Sequence, residues 1–449
     1  MKKHYDVLGI GFGPANIALA IALEELMVGV NAKFIETRER SVWQPEMMLE
    51  GSDIQNHPLR DLVTPRNPRS KYTFTNYLFE QERLFEYLNL GITFSLRKEY
   101  AQYVEWVAKH FKHWVEYNEH VTSIEIICDD NSKGCGYRVG TKSGKSYTAK
   151  AIVVAPGRTP YIPKPFDSVN SERVFHLTKY LTNITRWKQK QNLERIAVIG
   201  GSQSAAEIIL DLSTRFPKTE IVGFTRSFGY RLKDTSPFTG EVYFPSFVNY
   251  YYHANQKSKD QLDQDLRYTN YSAVDGDVIN KIYLKIYEQK LDAEQKIFIK
   301  KNRHIFDLQL KDRYVSLSVF EKHLNKTEVE KFDLVILATG FRNMGSKEYE
   351  EQYPPILKSI KNYLSMNNDN YLHINYDYSL NLSDDISPHA PIFVNGLCES
   401  SHGMGDAGSF SLLSLRSKAI VEGLKRRTEK VSSPLNNKNP VTLLPIAKK

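Results

Sequence analysis

The sequence predicts an α/β fold made of two Rossmann-like dinucleotide-binding domains with a small inserted helical segment. Three observations carry that expectation. Tyr5 to Leu8 is an apolar strand, Ala15 to Leu26 a run of helix formers and Ala32 to Ile35 apolar again, with a glycine turn between first strand and helix. The same order recurs from Ile196 to Ile199, through a Gly/Ser turn, to a helix over Ala205 to Leu212 and a strand over Ile221 to Phe224. Between Asp234 and about Gln289 lies a stretch rich in Tyr, Phe and Asn at helical spacing that fits neither repeat. Two βαβ units of this kind imply two bound dinucleotides, and 449 residues suffice for domains with separate cores.

Lys150 to Pro156 and Asp333 to Gly340 each read as a buried strand ending in a turn, and both are expected to bring the chain back to the first sheet. The expected boundaries are 1–166 and 334–430 for the first domain and 167–233 with 290–333 for the second. The helical substrate segment spans 234–289, and a Ser-, Pro-, Asn- and Lys-rich tail fills 431–449.

Lys and Arg outnumber Asp and Glu by 60 to 52, but the excess is spread along the chain, which argues against nucleic acid as a partner. Cys128, Cys135 and Cys398 form neither a paired framework nor a metal motif, the pattern of a reducing cytoplasm. No apolar run has the length of a signal core or a membrane span. A soluble, cytoplasmic protein without a metal site is expected.

Gly9-Ile10-Gly11-Phe12-Gly13-Pro14-Ala15-Asn16 follows a strand and opens a helix, where glycines let a pyrophosphate approach the helix N-terminus. Glu36 ends the next strand, where a carboxylate would accept from ribose hydroxyls. Asn16 stands near the place of the usual third glycine. The second turn, Gly200-Gly201-Ser202-Gln203-Ser204-Ala205, departs further, with Ser202 and Ala205 at glycine places. Its second strand ends near Arg226, whose guanidinium suits a 2′-phosphate and so NADPH; a solvated surface arginine is the alternative.

These residues resemble the N-hydroxylating flavin monooxygenases of siderophore biosynthesis, the L-ornithine and L-lysine N-monooxygenases. The resemblance runs over about residues 4–425. It rests on GFGPAN at 11–16, the segment from Trp43 to Thr64 ending in LRDLVT, PRS-x-x-TFTNYL at 68–78, GGSQSAAE at 200–207, TNYSAVD at 269–275, ATGF at 338–341 and SHGMGD at 401–406. It implies FAD and NADPH as cofactors. Gly11, Gly13 and Pro14 would line the FAD pyrophosphate, Glu36 its ribose, with Trp43, Gln55 and Asp406 also toward FAD. Gly200, Ser202, Gln203 and Ser204 would hold NADPH, and Arg226 its adenosine end. Asn270 would lie beside nicotinamide and substrate or else cap a helix, and Gln55 and Asn270 are the candidate catalytic residues. Arg60 stands where ornithine enzymes carry a lysine that pairs with the substrate carboxylate; a domain-interface ion pair is the other reading.

The implied reaction uses NADPH to reduce FAD, O2 to form a flavin C4a-hydroperoxide, and the neutral nitrogen of a small primary amine as its acceptor, giving a hydroxylamine for a siderophore. A homo-oligomer, by resemblance a tetramer, would be the assembly. No paired redox cysteine precedes Cys128, which excludes a disulfide reductase, and His176 reads as a linker residue. Two positions depart from the ornithine pattern. Gly240 replaces a substrate-contacting Asn, and Phe410 takes the place of a substrate-facing serine unless an inserted turn restores it as Ser414. Losing two polar partners, at about 1–3 kcal/mol each, favours a decarboxylated amine: histamine first, then putrescine and cadaverine. L-Lysine or L-ornithine is the alternative, and an uncoupled NADPH oxidase a further one.

Overall fold

The computed structural model describes residues 4–128, 135–190, 192–383, 386, 390–406 and 408–432, with side chains described to residue 427. The first unit is β1 (His4–Ile10), α1 (Pro14–Leu26) and β2 (Ala32–Ile35), with β2 parallel to β1. Pro14 starts α1 with its φ already helical. Asn16 to Leu23 are all buried, as expected of a helix covered by a sheet on one side and another helix on the other. α2 (Phe74–Glu80), α3 (Leu84–Leu90) and α4 (Arg97–His110) follow. β3 (Val115–Glu116) adds a parallel edge, and β4 (Val121–Cys128), β5 (Cys135–Thr141) and β6 (Ser146–Val154) form an antiparallel meander that returns β6 beside β1.

The second unit opens with β7 (Val174–His176) and α5 (Tyr180–Lys190), then β8 (Arg195–Ile199), α6 (Gln203–Arg215) and β9 (Glu220–Phe224). Next come α7 (Pro245–His253), α8 (Gln256–Asp265) and α9 (Gly276–Leu291), then β10 (Ile297–Lys300) parallel to β9. β11 (Arg303–Leu310), β12 (Val315–Glu321) and β13 (Lys326–Phe332) make a small antiparallel sheet. β14 (Leu334–Leu337), β15 (Ile392–Val394), α10 (Glu399–His402) and α11 (Leu413–Ser432) end the described chain. The second sheet runs β10-β9-β8-β14-β7, all parallel. It is covered on both faces: Ile196 and Val198 of β8 enter one core, Ala197 the other, as the two-residue strand period requires.

Four expectations are corrected or fall elsewhere. Leu334–Leu337 does not rejoin the first sheet but sits between β8 and β7, so the boundary at 334 comes too early; β15, paired with β6, is the strand that returns. α9 is the crossover helix between β9 and β10: Val278 and Ile282 pack on Ala206 of α6, so the inserted segment stops before Gly276 and not at 289. Cys128 and Cys135 stand opposite each other across the β4–β5 pair and form a disulfide, where no pairing was expected; Cys398 is free and buried. The predicted tail lies outside the described residues, except that its first two positions end α11. No described helix is long and apolar enough to cross a membrane.

Candidate functional site

The glycine turn between β1 and α1 is pinned from both sides. Gly11 has φ +84°, and a Cβ there would stand 2.3 Å from the Ala155 carbonyl oxygen at the end of β6. Gly13 caps α1 without any side-chain hydrogen bond to the first turn, and nothing lies within 4 Å of where its Cβ would be. No side chain therefore takes up the first-turn N–H groups, as an anion cradle needs. Glu36 accepts from Phe12 N at 2.7 Å and Arg38 N at 2.9 Å, which places its carboxylate beside the turn.

Asn16 is fully buried, and its amide donates to Gly11 O at 2.7 Å while its Oδ1 accepts from Asn395 at 3.0 Å. It therefore braces the turn where the usual fingerprint has glycine. Asn395 in turn accepts from Arg416 Nε at 2.7 Å, and Arg416 pairs with Asp406 at 2.9 Å with both side chains fully buried. Asp406 Oδ2, Arg416 Nη2 and Ser414 Oγ are buried without a hydrogen-bond partner. Asn395 and Arg416 carry no local sequence motif and were not read as site residues.

The second turn repeats the geometry. A Cβ on Gly200 would stand 2.4 Å from the Ala338 carbonyl oxygen at the end of β14. Ser202 caps α6 without a side-chain hydrogen bond; in the first turn the Gln203 N–H donates to Ala273 O at 3.0 Å, and Ser204 follows it. Arg226 is exposed just past β9. Replacing it with Ala should raise the KM for NADPH about 10-fold and leave that for NADH unchanged, the cost of one lost charge-assisted contact to a phosphate; steady-state rates with both nucleotides decide it, and an equal effect on both would remove Arg226 from the 2′-phosphate.

Gln55 sits in a left-handed conformation, φ +52°, and its amide donates to Asp275 at the start of α9. Burial raises the Asp275 carboxyl pKa against the lowering pull of Lys233, 3.6 Å away. Trp43 meets the ring of Phe410 edge-on at 5.0 Å, and Phe410 meets Tyr100 at 4.9 Å, so that phenyl ring is packed into the core. Leu413 begins α11, so Ser414 lies in its first turn. Arg60 forms no ion pair among the described residues; its guanidinium lies 5.9 Å from the Tyr243 ring centroid. Gly240 has open space where a side chain would project.

Asn270 shows no side-chain hydrogen bond among the described residues, and the cap it provides to the short turn Arg267–Thr269 uses backbone alone. Its neighbour Tyr271 donates to the buried Glu399 at 2.5 Å, which fixes this segment to α10. His176, held by Gly340 O and Thr178, has its pKa lowered by burial to about 4, as befits a neutral linker residue.

Two helix N-termini without a side-chain cap, each preceded by a glycine tucked under a strand-end carbonyl, fit two dinucleotides. Comparison with known proteins agrees. The family described as L-lysine 6-monooxygenase/L-ornithine 5-monooxygenase matches residues 3–343. An L-ornithine N(5)-oxygenase of Arthrobotrys oligospora is 34% identical, with 94% of this chain and 88% of that protein covered. An L-ornithine N(5)-monooxygenase of Burkholderia cepacia is 33% identical, with 96% of each covered. The ornithine N-hydroxylase of Kutzneria sp. 744, solved with reduced FAD, NADP+ and L-ornithine, superposes with a TM-score of 0.86 at 28% identity, covering 95% of this chain and 100% of that one.

Proposed function

The chain belongs to the L-lysine 6-monooxygenase/L-ornithine 5-monooxygenase family of FAD- and NADPH-dependent N-hydroxylating enzymes, and on that premise we propose that its substrate is L-ornithine. The observation behind this is the Arg60 guanidinium, which forms no ion pair among the described residues and faces the inserted segment at Tyr243. A planar cation left without a carboxylate suits the α-carboxylate of an amino acid, bidentately. The argument for a decarboxylated amine loses one of its two supports, because Phe410 packs against Trp43 and Tyr100 while Ser414 opens α11 with a free hydroxyl. The other support stands: open space at Gly240 favours the second reading, a decarboxylated amine such as histamine, putrescine or cadaverine.

Bound FAD and NADPH supply the redox chemistry and activation of O2. Gly11, Gly13, Pro14 and Glu36, braced from behind by Asn16, Asn395, Arg416 and Asp406, would hold the first; Gly200, Ser202, Gln203, Ser204 and Arg226 the second. The amine must be neutral to use its lone pair, although a free alkylamine titrates near 10. Asn270 and Gln55 offer amides, which orient a nitrogen without favouring its ammonium form as a carboxylate would. Gln55 also occupies Asp275, the acid nearest to it.

Hydroxylamine formation measured beside NADPH oxidation should match one to one with L-ornithine and fall short with L-lysine, putrescine, cadaverine and histamine. Arg60→Ala should raise the KM for L-ornithine by about 10- to 100-fold with little change in kcat, the signature of uniform substrate binding. An unchanged KM, or matched turnover with histamine, would replace ornithine by the second reading. Peroxide alone with every amine would favour an uncoupled oxidase.

A further inference from the structure

A closed circuit of polar contacts joins the second cradle to the first-domain segment that carries Gln55. Gln203 of α6 accepts from Asp275 N at 2.9 Å and donates to Glu207 at 3.0 Å. Glu207 takes a two-pronged ion pair from Arg97, 2.9 Å on each arm, with both side chains nearly buried. Arg97 opens α4 and donates from its backbone to Ser52 O at 2.8 Å, beside the bridge of Asp53 to Leu96. Asp53 receives Gln55 N at 2.9 Å, and Gln55 closes the ring by donating to Asp275.

Asp275 is the unusual member. It stands at the N-cap of α9, where an aspartate ordinarily caps its own helix, yet its carboxylate makes no cap hydrogen bond and is given to Gln55 and Lys233 instead. Its backbone N–H meanwhile orients the Gln203 carbonyl. One residue thus fixes an amide from each domain. We propose that Asp275 is a positioning residue that registers the first-domain amide of Gln55 against the second-domain amide of Gln203, so that the two bound nucleotides meet in the geometry for hydride transfer. This rests on the reading that Gln55 and Gln203 belong to the cofactor site.

The test separates a positioning role from a structural one by substituting with a residue that is itself a good cap. Asp275→Ser can cap α9 but is too short to reach Gln55; Asp275→Asn keeps an acceptor for it. On FAD-loaded enzyme, Asp275→Ser should weaken NADP+ binding by about 10-fold in calorimetry and raise the share of NADPH electrons lost as peroxide, at an unchanged melting temperature. Asp275→Asn should restore both within about twofold, an acceptor being what Gln55 requires. Wild-type affinity and peroxide share in Asp275→Ser, or Asp275→Asn behaving like Asp275→Ser, overturns the proposal. Gln203→Ala runs alongside: if it weakens NADP+ binding while Asp275→Ser does not, only the positioning role falls; if neither does, the assignment of Gln203 falls as well.

Discussion

Arg416→Met is expected to destabilise the chain by about 3–5 kcal/mol, the largest single loss of any substitution considered, because it leaves Asp406 charged, fully buried and unpaired. Replacing both partners should behave differently. In Arg416→Met with Asp406→Leu no charge is stranded, so most of the stability should return, as it does when buried ion pairs give way to apolar residues. FAD retention should not return with it. Arg416 is also the anchor of Asn395, which holds Asn16, which holds the Gly11 turn. Urea unfolding of the flavin-free chains measures the first effect, and flavin absorbance after dialysis the second. A single variant as stable as the parent would contradict the burial argument; a double variant that keeps its flavin would show that the relay to Gly11 does nothing for the cofactor.

That relay shows where sequence reading stops. The glycine turns were visible because each lies in one short window between a strand and a helix, and Gly200 is explained even in a turn that lacks two of the usual glycines: what it needs is closeness to Ala338 O, not membership of a fingerprint. Asn16, odd as a sequence letter, makes sense only against Asn395, which is 379 positions away. Gln55 with Asp275 and Arg97 with Glu207 are likewise pairs between distant segments, for which hydrophobic period and turn chemistry hold no signal. The sheet assignment of Leu334–Leu337 failed for a related reason. A strand buried on both faces is apolar at every position, so nothing in LVIL tells which sheet it enters. The assignment of α9 to the insert failed because an amphipathic helix bears the same spacing whether it crosses between strands or covers a site. The Cys128–Cys135 bond follows from hairpin register, which a spacing outside any known motif does not reveal.

The paired glycines give the sharpest separation of the two cofactors. At Gly11 and at Gly200 an added methyl group would meet a backbone carbonyl oxygen at 2.3 and 2.4 Å, far inside contact distance. Neither carbonyl can retreat. Ala155 N is bound to Ile10 O at 2.8 Å and Ala338 N to Ile199 O at 2.9 Å, so each offending residue is tied to the strand that leads into its own glycine. The turn must move instead, and with it the helix N-terminus that would receive the pyrophosphate. Gly11 adds a φ of +84° that a side chain resists, by about 1 kcal/mol or more. Gly11→Ala should therefore purify colourless, with FAD affinity lowered on the order of 100-fold. Gly200→Ala should stay yellow, keep its FAD through dialysis and show a KM for NADPH raised by a similar factor, on the order of 100-fold. Flavin absorbance and steady-state NADPH titration read both. If Gly200→Ala also lost its flavin, the two cradles would be one cooperative unit, and the polar circuit through Asp275 would have to bear on flavin binding as well as on the meeting of the two nucleotides.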